Sequence, residues 1–462
     1  MPEVEPYDAI IIGSGQAGGP LSTALVKAGR RTVLVEREHI GGTCINEGCT
    51  PTKTMVASAQ SANAARRAGE YGVELSLPIA VSMETVRRRK RGIVDQFRNH
   101  SRDAIVAGGV TILMGEARFV TQHEVVVRKQ DGTEARLSAP LIVIDAGGRP
   151  ATPKIAGIDS VPTLNSTSIM ELSAVPDHLL VLGGGYVGVE FAQMFRRFGS
   201  RVTIVQSTAS LLNREDEDVA AAVAAILRED GIEILLNAKA KLIESDGSGV
   251  SVAADIEREQ RVVAGSHLLV ATGRVPNTDT LDLPVAGIAT DERGYVKVDD
   301  HLQTNVEGVY ATGDIAGSPP FTHISFDDYR ILKDNLIDGG TRNTCDRLVP
   351  YTVFIDPQLG RVGMTEQGAR KTGRPIRVAK MGMDSVARAL EVGQSRGFMK
   401  AVVDAETDHI LGCAVLGMEG GEMMAMLEIA MMGNLTYHDL VNGIFAHPTL
   451  AEAFNNLFQS WM

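Results

Sequence analysis

The chain of 462 residues contains only four cysteines, and two of them, Cys345 and Cys413, have no near partner in the sequence. Such scarcity argues against a secreted disulfide scaffold and suits a reducing compartment. The first apolar run, inside MPEVEPYDAIIIG, follows acidic rather than basic residues. It is too short for a signal peptide or a membrane span, so a cytoplasmic protein without a membrane partner is expected. Excess positive charge is missing as well. A net charge of -12 opposes binding to nucleic acid or to acidic membranes, and nucleic acid is not expected as a partner. The exception, Arg87-Arg88-Arg89-Lys90-Arg91, lies in a helical pattern continuing through Ile93, Val94, Phe97 and Ile105, and is read as a solvated helix face.

What is present is enough apolar material for several cores. Hydrophobic residues make up 44% of the chain, which excludes a disordered protein and fits two to four domains.

The remaining two cysteines stand together in Gly41–Lys53, GGTCINEGCTPTK, separated only by Ile45-Asn46-Glu47-Gly48. Cys44 and Cys49 can then face each other across roughly one distorted helical turn, a spacing for a disulfide that opens and closes. The flanking glycines and Pro51 place the pair where a loop becomes a helix. A thiol at a helix N-terminus has its pKa lowered from about 8.5 towards roughly 3.5–7.5, which would make a thiolate available near neutral pH. Lys53, one turn beyond Cys49, brings a positive charge to the same face. A structural bridge or a metal pair is the competing reading.

Two segments carry the pattern of a dinucleotide site. Tyr7 to Ile12 reads as a buried strand, Gly13-Ser14-Gly15-Gln16-Ala17-Gly18 as a turn, and the stretch to Lys27 as a helix. Thr32 to Val35 follows as a second strand ending in Glu36. Glycines let a pyrophosphate approach the helix N-terminus, and the acid accepts hydrogen bonds from a ribose diol. The arrangement recurs as Leu179–Leu182, then Gly183 to Gly188, a helix to Phe198, and Val202–Val205 ending at Gln206. The distances match, since 36 − 13 = 23 and 206 − 183 = 23. Two dinucleotides are implied. Gln206 is neither the carboxylate that favours NADH nor the arginine that favours NADPH, and Arg214 lies farther along, so the choice of nicotinamide stays open.

Near the end, Phe445-Ala446-His447-Pro448-Thr449 with Glu452 suggests an acid–base site. Proline suits the first turn of a helix, leaving His447 at its mouth with Glu452 orienting the ring. Methionines at 423, 424, 426, 431 and 432 are read as core or interface packing rather than as a soft-metal site.

Together, GGTCINEGCTPTK, the two glycine turns, Ala311-Thr312-Gly313-Asp314 and His447-Pro448-Thr449 resemble the class I pyridine nucleotide-disulfide oxidoreductases over essentially the whole chain. That family includes dihydrolipoamide dehydrogenase, glutathione reductase, mercuric reductase and a reactive-chlorine-resistance flavoprotein. The resemblance implies an α/β fold with two Rossmann-like domains, for FAD and NAD(P), and a C-terminal α+β dimerisation domain. The boundaries it implies are 1–150 for the first part of the FAD domain, 151–275 for the NAD(P) domain, 276–345 for a return to the FAD side and 346–462 for the interface. It implies FAD held by Gly13, Gly15, Gly18, Glu36, Gly42, Thr43, Lys53 and Asp314, and NADH or NADPH held by Gly183, Gly185, Gly188, Gln206 and Gly273. Lys53 would pair with Glu190 near the flavin. Cys49 would face the flavin and Cys44 the substrate, with His447 and Glu452 arriving from the partner subunit of a homodimer.

By the same resemblance, electrons pass from NAD(P)H to FAD, then to the Cys44–Cys49 disulfide, then to substrate. Mercuric reductases commonly end in a second cysteine pair, whereas this chain ends NNLFQSWM; Cys44 and Cys49 remain able to ligate a soft ion transiently. Dihydrolipoamide dehydrogenases commonly read HAHPT, and here Phe445 takes the first position. The segment Phe321–Arg330 resembles the metal-reducing branch, with His323 where tyrosine is commoner. The leading expectation is therefore a reductase of a soft metal ion, Hg(II) or Cu(II), or of a small disulfide. Dihydrolipoamide dehydrogenase and a non-turnover redox sensor are the alternatives.

Overall fold

The computed structural model describes residues 3–76, 78–245, 247, 249–257 and 259–462. They form two compact units, each assembled from three stretches of chain.

The first unit takes Met1–Thr54, Thr85–Ala151 and Arg274–Arg347. Its centre is a five-stranded parallel sheet in the order Val309–Ala311, Leu141–Ile144, Ala9–Ile12, Thr32–Glu36, Thr111–Met114. The central strands read as unbroken apolar runs because both faces of a parallel sheet are covered. On one face Ile10, Ile12, Val33, Ile142 and Ile144 pack with Phe119, Val125 and Leu137 from a smaller four-stranded sheet. On the other, Ile11, Leu34 and Val143 meet Leu21 and Leu25 of helix α1 (Gly18–Lys27), with Ile105 and Ile331. Helix α2 (Gly42–Asn46), helix α3 (Cys49–Arg66) and helix α4 (Met83–Ala107) follow in the chain.

The basic run sits on α4, where Arg88, Arg89 and Arg91 are exposed, as expected of a solvated face, and Arg87 is partly so. Lys90 is buried, and the Arg89 guanidinium donates to the carbonyl of Thr54 at 2.7 Å. Long cationic side chains lay their stems along the protein while the head finds an acceptor.

The second unit takes Met55–Glu84, Thr152–Gly273 and Leu348–Met462. A four-stranded parallel sheet runs Glu233–Leu235, Arg201–Val205, His178–Leu182, His267–Val270. Helix α5 (Tyr186–Phe198) and helix α6 (Glu217–Glu229) accompany it. Beyond residue 348 comes a five-stranded antiparallel sheet, ordered Tyr351–Val353, Gln358–Gly363, Ile410–Gly417, Phe398–Asp404, Ile376–Gly382. Met423 and Met424 pack in its core beside Cys413, as read, while Met432 is exposed.

Nothing in the sequence pattern announces the buried ionic cluster of this unit. Lys400, only 3% exposed, reaches Glu366 at 2.6 Å, Asp218 at 2.9 Å and Asp216 at 3.4 Å. Arg361 lies 3.6 Å from Asp216 and 3.7 Å from Glu215. Buried charges of this kind persist only when paired.

Candidate functional site

The strand Ala9–Ile12 delivers the chain into Gly13, whose φ of +104° is a conformation that favours glycine. A Cβ there would lie 2.2 Å from the carbonyl oxygen of Asp145, and one on Gly18 would lie 2.2 Å from that of Gly13. The turn therefore closes only with these residues, and it leaves the N-terminus of α1 open to an anion. Glu36 Oε2 accepts both the Ser14 backbone N–H at 3.0 Å and the Ser14 hydroxyl at 2.6 Å. Ser14 Oγ in turn accepts the Gly41 N–H at 3.0 Å. One hydroxyl thus ties Glu36, the first glycine turn and the thiol loop together.

FAD fits these residues. Glu36 retains acceptor capacity for ribose hydroxyls beyond its bonds to Ser14 and Glu38, and Gly42 packs so closely that a Cβ would lie 2.8 Å from Gly15 Cα. Asp314 opens the Gly313–Ala316 turn, with Arg274 Nε 3.5 Å from its carboxylate. Burial pushes the Asp314 carboxyl up, against the pull of Arg274.

Cys44 lies within α2, and Cys49 is the first residue of α3. Both are free thiols, and their side chains hydrogen-bond to each other. The spacer is braced by Asn46, whose amide donates to the carbonyls of Ile40 at 3.0 Å and Gly42 at 2.9 Å. Arg98 on α4 donates to the Asn46 oxygen at 2.7 Å. Cys49 Sγ lies 3.2 Å from Thr322 Oγ1. For Cys44 the expected lowering of the thiol pKa is overturned: the hydrogen bond with Cys49, and then burial, push it up.

A cavity of about 840 Å³ opens between α1, α4 and the helix Thr322–Lys333, with Cys44 on its wall. Lys27, Phe97, His100 and Tyr329 also line it. Lys53 is half-buried on α3. Glu190 belongs to the second unit, where its buried carboxylate accepts the Phe354 N–H at 2.8 Å.

The second glycine turn repeats the first. Gly183 has φ +108°, and Cβ atoms on Gly183 and Gly188 would lie 2.5 Å from the Ala271 oxygen and 2.0 Å from the Gly183 oxygen. Gly185 begins α5 as its cap, and Gly273 follows the strand His267–Val270 with φ +140°. Gln206 Oε1 accepts the Gly184 N–H at 2.8 Å, while Nε2 donates to Thr208 Oγ1 at 2.6 Å and the Ser210 carbonyl at 3.1 Å.

His447 Nδ1 lies 2.8 and 3.0 Å from the two carboxylate oxygens of Glu452, and the imidazole is 67% exposed. The pairing matches the sequence reading, but its helical setting does not. The helix begins only at Ala453, and His447-Pro448 precedes it in irregular chain joined by a cis peptide bond. His323, in the first turn of its helix, stacks on Phe321 with ring centroids 5.6 Å apart.

Ser14, Asn46, Arg98 and Thr322 escaped the sequence reading. Asn46 sits in the thiol spacer, where its turn chemistry was a usable signal. Arg98 and Thr322 lie 52 and 273 residues from their partners and carried none. Among the described residues no group of three or more His, Cys, Asp or Glu could hold a metal ion, and no helix is long and apolar enough to cross a membrane.

Residues 7–328 match the family Pyridine nucleotide-disulphide oxidoreductase, and residues 349–458 match its dimerisation domain. A relative from Escherichia coli (strain K12), the probable pyridine nucleotide-disulfide oxidoreductase RclA, is 39% identical over 98% of this chain and 98% of its own length. A mercuric reductase from Staphylococcus aureus is 32% identical over 96% of this chain and 81% of its own length. The solved Cu(II) complex of the HOCl-induced flavoprotein disulfide reductase RclA from Escherichia coli superimposes with a TM-score of 0.90, at 38% identity over 99% of both chains.

Proposed function

Because this chain belongs to the pyridine nucleotide-disulphide oxidoreductase family, we propose that its Cys44–Cys49 pair carries electrons from FAD to a small disulfide or to a soft metal ion, Cu(II) or Hg(II). FAD-dependent, NAD(P)H-linked disulfide reduction is the activity of the family. The observation that carries the proposal is the thiol pair itself, two hydrogen-bonded sulfurs of which Cys44 lines a cavity.

Bound FAD supplies the two-electron link between the nicotinamide and the thiols. The chain's own residues do the rest. The glycine turn and the α1 N-terminus hold the pyrophosphate, Glu36 takes the ribose, and Asp314 takes the ribityl chain. Gly183, Gly185, Gly188, Gln206 and Gly273 form the nicotinamide cradle. Lys53 would supply a positive charge beside the flavin ring.

With a disulfide substrate, the Cys44 thiolate forms a bond to one substrate sulfur and the other departs as a thiolate. His447 of the partner subunit protonates that leaving group. The Cys49 thiolate then attacks Cys44, closing the intramolecular disulfide and releasing the second thiol. Two electrons leave the dithiol and two substrate thiols form. A soft ion would instead be held by the two sulfurs, which are ligands of matching softness.

A shared site needs a homodimer. In its favour stand the dimerisation-domain match and the exposed apolar side chains Ile429, Met432, Leu435 and Ile444 in the same region. His447, with Glu452 fixing one ring nitrogen, presents the other outward.

Steady-state turnover of Cu(II), Hg(II), oxidised glutathione and lipoamide with each nicotinamide tests the reading. Fast lipoamide turnover with no reduction of metal or glutathione would overturn it in favour of a dihydrolipoamide dehydrogenase.

A further inference from the structure

The two glycine turns differ in one buried side chain. Gly13 closes on the backbone of Asp145 as Gly183 closes on the backbone of Ala271, so the two positions correspond. In the nicotinamide turn that position carries a methyl, and a Cβ on Gly185 would meet nothing within 4 Å. In the flavin turn a carboxyl fills the space. A Cβ on Gly15 would lie 2.7 Å from Asp145 Oδ2, and one on Gly18 would lie 3.0 Å from it. Oδ2 accepts the Gly18 N–H at 2.7 Å, and Oδ1 lies 3.3 Å from the Thr312 hydroxyl.

We propose that Asp145 gates FAD retention: as a neutral acid behind the phosphate turn it leaves the cradle open to the flavin pyrophosphate, and its ionisation weakens FAD binding. This rests on the assignment of FAD to the first turn.

The surroundings supply no charge to hold an ionised Asp145. From the Gly313–Ala316 turn the acid Asp314 faces it, and from the helix Thr322–Lys333 the acid Asp328 does. The cations in reach are committed elsewhere, Arg274 at 3.5 Å from Asp314 and Arg347 at 2.5 Å from Asp328. Across the turn, Glu36 adds a further acid bound to Ser14. Among the described residues none forms an ion pair with Asp145. Its side chain belongs to a residue 7% exposed. Burial pushes the carboxyl up to about 8, with Asp328 and Asp314 adding to the rise and the Gly18 N–H and Thr312 opposing it.

An ionised Asp145 would act against FAD in two ways. It would hold the Gly18 N–H, which Oδ2 already accepts, more strongly as a carboxylate, and so offset the partial positive charge of the α1 N-terminus that favours a bound phosphate. It would also place a negative charge in a dry site behind a dianionic pyrophosphate. Because FAD prefers the protonated form, affinity must fall as pH rises through the titration of this group.

The test is the dissociation constant of FAD, read from the fluorescence of released flavin between about pH 6.5 and 9.5, for the full-length protein and for Asp145→Asn and Asp145→Ala. Wild-type affinity is expected to fall about tenfold per pH unit above the titration of Asp145. Both variants should keep their low-pH affinity throughout. Asp145→Ala copies the residue at 271 and so guards against a fold defect in the amide variant, with circular dichroism reporting the fold at each pH. A flat wild-type profile, or variants that fall in parallel with wild type, overturns the gate. A protein that binds no FAD even at low pH overturns the underlying cofactor assignment instead, so the two failures are distinguishable.

Discussion

Gln206 holds the backbone N–H of Gly184 through its side-chain oxygen at 2.8 Å, the relation that Glu36 bears to Ser14 in the other cradle. Its amide nitrogen is bound to Thr208 and Ser210. Gln206 thus braces the glycine turn through its oxygen alone and, unlike Glu36, carries no charge. Replacing it with Glu keeps the acceptor for Gly184 and adds a negative charge that repels a 2′-phosphate. Binding of NADP⁺ is expected to weaken at least about tenfold more than that of NAD⁺, a difference of ~1.4 kcal/mol measurable by equilibrium titration. Equal effects on the two nucleotides would show that position 206 does not face the ribose.

Cys44→Ser should abolish dithiol-dependent turnover, with a loss of roughly 10³-fold or more, while the purified protein stays yellow. Cys49→Ser should also stop turnover, yet leave Cys44 able to attack a disulfide reagent, forming a mixed disulfide and releasing one thiol. Mass spectrometry of the trapped adduct distinguishes the two. An adduct on Cys49 of the Cys44→Ser variant, at the rate seen on Cys44, would reverse the assigned roles.

His447→Ala is expected to cost about 10²–10⁴ in rate through loss of proton transfer. Glu452→Gln keeps a hydrogen-bond acceptor for Nδ1 but removes the charge, so a smaller loss, on the order of tenfold, should follow in kcat. If the two variants lose the same factor, Glu452 would have to act on the chemistry directly rather than through the ring.

The buried cluster around Lys400 predicts a stability effect far from the sulfurs. Lys400→Met leaves Asp216, Asp218 and Glu366 without their shared cation and should destabilise the protein by ~3–5 kcal/mol. Asp216 and Asp218 are held below the usual carboxylate range: burial works against this, but backbone amides at Asp216 and the Lys380 and Lys400 hydrogen bonds at Asp218 outweigh it. Glu366 is held low in the same way by Lys400 and Arg370, while Lys400 itself is raised by Glu366 and Asp218 despite its burial. Depressed acids contribute stability that is present above their unfolded values, near pH 4, and is lost as pH falls through the folded ones. The raised lysine contributes stability that is full below about pH 10.4 and is lost as pH rises through its folded value. Urea midpoints should therefore fall on acidification below about pH 4, less steeply in Lys400→Met than in wild type.

The parts that could be read from sequence are those governed by short-range rules. The strand–glycine–helix–strand units have their meaning within 23 residues, so the turns at Gly13 and Gly183 and the ends of α1 and α5 were legible almost to the residue. The His447–Glu452 bond was legible for the same reason, although the intervening chain is not helical. Contacts made across the fold were not. The fixing of Asn46 by Arg98, the approach of Thr322 to Cys49 and the gathering of four acidic side chains around Lys400 and Arg361 all depend on tertiary neighbours. The thiol pKa failed for a related reason: the hydrogen bond between the two sulfurs and the burial of Cys44, which push it up, are set by the folded chain and not by the spacing.

The sheet of the first unit is built from strands that leave the ribosome far apart in time. Its edge strand, Val309–Ala311, lies beyond the whole segment 152–273 that belongs to the second unit, and it seats directly against Leu141–Ile144. A nascent chain must therefore keep Leu141–Ile144 without its outer neighbour while the intervening segment is made and begins to fold. The flavin cradle is the first site to be started during synthesis and cannot be finished until two-thirds of the protein exists, which makes the cofactor a late arrival in the life of the molecule.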